Sequence, residues 1–163
     1  MAPISDIFEI QDIDRDILER ERDRALGFLE CEIPDLHLME VGSTAVEGLI
    51  GKCDIDLVAS VPIDDFDRFR KALDGVLSRD PNQLSSDQYQ AYIFPSDLDV
   101  KIQLTIKGGP YDKFEEFLNA LKEDPKRVST YNDIKLKWNG RPMEDYRRAK
   151  AEFIEFVLSS RTS

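Results

Sequence analysis

The sequence has 163 residues, 41% hydrophobic and 34% charged, which is enough apolar side chain for one self-sufficient core and too much for a disordered chain. Thirty-three acids against 22 bases leave a net charge of −11, which argues against sequence-independent binding to duplex nucleic acid because the phosphates would be repelled. No apolar run approaches the ~20 residues of a membrane span. The opening MAPISDIFEIQDID has no basic-then-apolar leader pattern. Cys31 and Cys53 form neither a disulfide framework nor a zinc motif, so a reduced cytoplasmic setting away from membranes is expected.

From about residue 12 to 30, Ile13, Ile17, Leu18, Ala25, Leu26 and Leu29 recur at helical spacing opposite a charged ERERDR stretch. Pro34 ends that segment, and residues 36–41 read as a short strand. The run GSTAVEGLIGKC, with Gly42, Gly48 and Gly51, predicts a turn with a short helix. Ile55, Leu57, Ala59 and Val61 alternate as a strand that Pro62 closes, and Phe66, Phe69, Leu73, Val76 and Leu77 follow as an amphipathic helix. A polar loop through Pro81 leads to a strand over residues 89–94. Leu98, Val100, Ile102, Leu104 and Ile106 are the clearest alternation in the chain, punctuated by Gly108, Gly109 and Pro110. Beyond Tyr111 three helices are predicted, one to about Lys122, one over residues 127–137 and one over residues 142–160, with Pro142 suited to a first turn. The order α, β, short α, β, α, β, β and three helices is an α+β (mixed α/β) arrangement in a single domain spanning residues 1–163.

Charge is uneven along that domain. Residues 1–40 carry twelve acids and four bases, residues 41–125 sixteen and nine, and residues 126–163 five and nine, a local excess of +4. A phosphate-bearing ligand would therefore need a metal ion and the C-terminal third to supply positive charge.

The period of two in a strand unites Asp54 with Asp56 on one face, and Asp99, Lys101, Gln103 and Thr105 on one face of the longer strand. If those strands are neighbours, three carboxylates converge, and hard divalent cations such as Mg²⁺ favour such oxygens while keeping water sites that phosphates can take. Two such ions can clamp the attacking and leaving oxygens of a phosphoryl displacement. The Gly42-Ser43 turn precedes this pair by about ten residues, and a glycine followed by helical N–H groups is a place where backbone approaches phosphate closely. Gly-Ser and Asp-x-Asp are each commonplace; their spacing and strand context give them weight.

The run VGSTAVEGLIGKCDIDLV resembles the signature of the GrpB-like family, a branch of the nucleotidyltransferase superfamily that includes the DNA polymerase beta-type catalytic core. The family's GSTAVPGL stretch matches Gly42 to Leu49, with Glu47 where proline is usual, its lysine matches Lys52 and its aspartate matches Asp56. Further along, Phe114, Phe117 and Leu118 are similar to an F-x-x-Y-L segment, Tyr131 and Lys135 to Y-x-x-x-K, and Tyr146, Ala149, Lys150, Phe153 and Ile154 to Y-x-x-A-K-x-x-F-I. Two departures stand out: Asp54 replaces a usually apolar residue and completes an Asp-x-Asp, and Lys101 and Gln103 stand where a His-x-His strand is common.

What the resemblance implies is a nucleotidyltransferase-like core with a small mixed sheet flanked by helices. Residues 1–40 would supply the N-terminal helix and first strand, 41–107 the catalytic core, and 108–163 the C-terminal helices. It implies a minimal enzyme that moves a nucleoside monophosphate from a nucleoside triphosphate, bound with Mg²⁺ or Mn²⁺, to an unidentified acceptor hydroxyl. Asp54, Asp56 and Asp99 would hold the metals. Gly42, Ser43 and Thr44 would grip the triphosphate with Lys52, Lys101, Lys135 and Lys150, and Tyr131 would stack on the base. The alternative is a non-catalytic member that binds a nucleotide or a protein partner; a third reading is a structural module using the acidic N-terminal helix. His37 is expected to be a structural or surface residue, and Trp138, Cys31 and Cys53 packing residues.

Overall fold

A computed structural model describes residues 7–161. Among them the chain forms β1 (Ile7–Phe8), α1 (Arg15–Glu32), β2 (Met39–Val41), β3 (Ile55–Val61), α2 (Phe66–Asp74), β4 (Ser78–Arg79), β5 (Tyr89–Phe94), β6 (Val100–Ile106), α3 (Phe114–Glu123), α4 (Pro125–Trp138), β7 (Arg141–Pro142) and α5 (Met143–Arg161). This is the mixed α+β class that the element order implies. A five-stranded sheet has the order β2-β3-β6-β5-β4, with β3 and β6 parallel and every other pair antiparallel.

The alternation seen in the sequence sorts the two faces of that sheet. Ile55, Leu57, Ala59 and Val61 of β3, with Val100, Ile102, Leu104 and Ile106 of β6, pack against Leu18, Ala25 and Leu29 of α1 and Phe66, Phe69 and Leu73 of α2. Each fully buried leucine there contributes about 1.5–3 kcal/mol. Helix α1 starts where the Asp14 carboxylate accepts from Asp16 N at 2.8 Å. The opposite face carries Val58 and Val41, covered by Leu118 and Leu121 of α3, Tyr131 of α4, and Phe153 and Val157 of α5. Those three helices roof only part of the sheet.

Several boundaries differ from the sequence expectation for local reasons. The short helix after Gly42 is a single 3-10 turn, Ser43–Ala45. Helix α2 ends at Asp74 and passes through Gly75 into a turn in which Leu77 N donates to the Leu73 carbonyl, and α4 starts earlier, at Pro125, capped by the Asp124 carboxylate on Lys126 N. Pro142 is not a helical first turn: it pairs with Ile7 in the two-residue ribbon β1-β7. Neither that ribbon nor β4 is long enough to show a period. His37 is exposed as expected. Cys31 is exposed rather than packed, whereas Cys53 and Trp138 are partly buried against apolar clusters.

Candidate functional site

Where the helical roof stops, a cavity of about 380 Å³ opens over the sheet, within the usual size of a small-ligand site. Its floor is polar. Asp54, just before β3, and Asp56, its second residue, lie beside Lys101 and Gln103 of β6, with Tyr89 of β5 beyond. Its roof is apolar and aromatic, built by Phe114, Phe117, Leu118 and Leu121 of α3, Tyr131 of α4 and Tyr146 and Ile154 of α5. Lys52, Lys101, Lys113, Arg147 and Lys150 line it against only two carboxylates, so the cavity is locally cationic in an acidic protein.

The glycine turn meets the carboxylates directly. Gly42 adopts φ +82° and ψ −167°, and a Cβ placed there would lie 2.8 Å from Asp56 Oδ2. Only glycine fits that backbone and that contact. Burial, reinforced by the neighbouring Asp54, pushes the Asp56 carboxyl up to about 6, with Lys150 and Lys101 pulling the other way. Asp54 is also raised, chiefly by burial and further by the charge of Asp99, while Lys52, 3.5 Å away, opposes the shift. No hydrogen bond reaches the Asp56 carboxylate among the described residues.

Of the residues expected from the sequence, the cavity unites Gly42, Lys52, Asp54, Asp56, Lys101, Tyr131 and Lys150. Ser43, Thr44, Asp99 and Lys135 are not among its lining residues. Thr44 is buried, with its hydroxyl on Glu40 at 3.4 Å, and Ser43 Oγ lies against Gly51. Asp99 is exposed just before β6, and its carbonyl, not its carboxylate, serves β3 by accepting from Ile55 N at 2.8 Å. The expected carboxylate trio is a pair, and no group of three or more His, Cys, Asp or Glu side chains is placed to hold a metal among the described residues. The position beside Asp56 on β6 is Lys101, and Asp99, just before that strand and level with Asp54, is exposed rather than turned into the cavity.

Lys135 is buried on α4, where its ammonium donates to the Ile50 carbonyl and lies 4.2 Å from the centre of the Tyr131 ring. On the turn before it in α4, Asn132 accepts from Ile50 N and donates to the Gly48 carbonyl, both at 2.9 Å, so α4 latches the loop beneath the Gly-Ser turn. Burial, with repulsion from Lys150, pushes the Lys135 amine down to about 7. The unfolded chain then holds this proton up to about pH 10 while the folded one sheds it near pH 7, so stability rises with pH across that window. Relative to Lys135→Met, the wild type is expected to gain ~2–3 kcal/mol between pH 7 and 9.5; urea unfolding at both pH values checks this, and parallel pH profiles would refute it.

Tyr131 has its ring packed against Phe117 and Phe153 and its hydroxyl 3.4 Å from that of Tyr146, so only part of it is offered to the cavity. Sequence reasoning missed Lys113, Arg147, Tyr89 and Tyr111 in the lining and Asp80 beneath it. Arg147 had a signal, three residues before Lys150 on one helix face; Lys113 and Asp80 had none.

A family model described as "GrpB protein" matches residues 10–160. A UPF0157 protein of Vibrio cholerae is 27% identical over 127 residues, covering 77% of this chain and 68% of the relative. The crystal structure of the conserved protein GrpB from Enterococcus faecalis superposes with a TM-score of 0.65 at 15% identity, covering 94% of this chain and 99% of that one. A crystal structure of the Cid1 poly(U) polymerase bound to MgATP superposes with a TM-score of 0.50 at 14% identity, covering 77% of this chain and 42% of the polymerase. At these identities the two structural likenesses are likenesses of fold. The second relates the fold to that of a nucleotidyltransferase, the poly(U) polymerase.

Proposed function

The chain belongs to the GrpB family, and on that premise we propose that it binds a nucleoside triphosphate with a divalent cation in the cavity and transfers its nucleoside monophosphate to an acceptor hydroxyl. The observation that carries this reading is the contact of the Gly42 turn with the Asp56 carboxylate at the floor of a cationic cavity. A fold alone does not imply chemistry; a glycine turn set against one of two paired carboxylates in a cationic cavity is a site-level argument.

The donor set fits Mg²⁺ or Mn²⁺. Asp54 and Asp56 offer hard oxygens, and Asp56, raised by burial and without a hydrogen bond, has a charge that a cation would compensate. A bound divalent ion would draw in phosphate oxygens and polarise the phosphorus toward attack. The chain's own residues do the rest. Gly42 lets the backbone lie against the Asp56 carboxylate, which a Cβ there would displace. Lys52 and Lys150 offer N–H groups to the phosphate oxygens, and Lys113 and Arg147 hold more distal charge. Phe114 and Phe117 exclude water and pack the base. Asp99 acts on Asp54 through its charge alone. No helix among the described residues is long and apolar enough to cross a membrane, and the two free cysteines fit a reducing cytoplasm.

Titration calorimetry with the four nucleoside triphosphates, with and without Mg²⁺, tests the reading alongside α-phosphate label transfer. Asp54→Asn is expected to weaken Mg²⁺-dependent binding by at least about tenfold, with an unchanged circular dichroism spectrum. Equal affinity in the variant would sink it. A second reading, binding without transfer, is favoured by Lys101 standing opposite Asp56 where a third carboxylate would assist chemistry. Tight binding with no label moved to any hydroxyl acceptor would select it.

A further inference from the structure

Asp80 is a buried carboxylate that the proposed reaction leaves unused. It is 3% exposed, its backbone N donates to the Ala91 carbonyl at 2.9 Å, and its Oδ1 accepts from Asn82 N at 3.0 Å. Its Oδ2 receives no hydrogen bond and has one compensating neighbour, the Lys101 ammonium at 3.2 Å. Lys101 in turn is the register partner of Asp56 across the parallel β3-β6 pair, so the two side chains stand beside each other on one face. Its side chain is 29% exposed and lines the cavity.

We infer that Lys101, pinned by Asp80, is a fixed cation of the site that takes the place of a second metal ion, so that Asp54 and Asp56 accept one divalent cation and no more. This rests on the reading of those two aspartates as a divalent-cation site. An ammonium tied to a buried carboxylate does not swing away to solvent, because leaving would strand that carboxylate unpaired. Lys52 differs: it meets only the partly exposed Asp54, at 3.5 Å, and can yield to an incoming metal. A first divalent ion therefore displaces Lys52 and finds two carboxylates. A second would face the Lys101 charge, with the Asp80 carboxylate already engaged by that ammonium and no group of three such side chains placed to hold a metal among the described residues. Lys101 meets Asp80 as an ion pair without a hydrogen bond, which leaves its N–H donors for a phosphate oxygen. Asp80 is a positioning residue; Lys101 touches the ligand.

Counting bound Mn²⁺ by electron paramagnetic resonance on the full chain tests this. The wild type is expected to bind one ion and Asp56→Asn none. Lys101→Met removes a repelling charge and is expected to bind one ion about tenfold more tightly. Lys101→Asp supplies a third carboxylate and is expected to bind two. Asp80→Asn, which keeps the Oδ1 acceptor, should shift affinity in the same direction as Lys101→Met by a smaller factor, with no change in ion number. Two ions on the wild type, or unchanged affinity in Lys101→Met, overturn the inference while leaving the metal site standing. Mn²⁺ binding that ignores Asp56→Asn, or none in any variant, overturns both; ATP titration in excess chelator then shows separately whether the cavity still takes a nucleotide.

Discussion

Asp56→Asn is expected to make the protein more stable at pH 7 while removing its ligand site. In the metal-free protein burial lifts the Asp56 carboxyl to about 6, against roughly 3.9 for an unfolded chain. Between those values the folded state holds a proton that the unfolded state has released, so stability falls as pH rises from about 4 to about 6. The wild type carries the whole penalty at pH 7, about 1–3 kcal/mol, and asparagine carries none. Urea unfolding should therefore show the variant ahead at pH 7 and level with the wild type near pH 4. A variant less stable than the wild type at pH 7, or an equal gap at both pH values, contradicts this. Mg²⁺-dependent nucleotide affinity should fall by about 100-fold, or ~2.7 kcal/mol, because an amide cannot replace the anionic oxygen. A residue whose removal stabilises the fold and abolishes binding is one that burial alone does not account for.

Gly42→Ala is expected to damage both properties at once. The backbone at φ +82° and ψ −167° lies in a region that only glycine occupies without strain. The added Cβ would also sit 2.8 Å from Asp56 Oδ2. Strain and overpacking together should destabilise by about 2–4 kcal/mol, read from urea unfolding at pH 7. Nucleotide binding should be lost because the displaced carboxylate no longer faces the turn. The two causes separate in a double-mutant cycle. In an Asp56→Ala background the carboxylate contact is gone and only the backbone strain remains, so Gly42→Ala should destabilise by ~1 kcal/mol less there. Additive effects of the two substitutions would show that the contact contributes nothing.

Much of the architecture follows from local pattern. Alternation in residues 55–61 and 100–106 placed both strands and their apolar faces, because burial of one face imposes a period of two on any strand long enough to show it. The helical stripe of Leu18, Ala25 and Leu29 did the same for α1. The two-residue pairings of β1 with β7 and of β4 with β5 carry no such period and exist only because distant segments meet. The GSTAV run marked the family by resemblance, and the structure sets its Gly42 against the Asp56 carboxylate.

The amino-acid sequence determined on its own that Asp54 and Asp56 stand two residues apart where a strand begins, that a glycine turn precedes them, and that positive charge gathers in the last third of the chain. Only the tertiary structure decided which positive charges reach the cavity. Lys113, Arg147 and Lys150 line it, whereas Lys135 is drawn under the Ile50 carbonyl, because packing of α3 to α5 on the sheet, not spacing along the chain, sets where a long side chain ends. The sheet likewise decided that Asp56 faces Lys101 rather than Asp99. A strand's period tells which residues share a face; only hydrogen bonding to its neighbour sets the register that chooses who stands opposite whom.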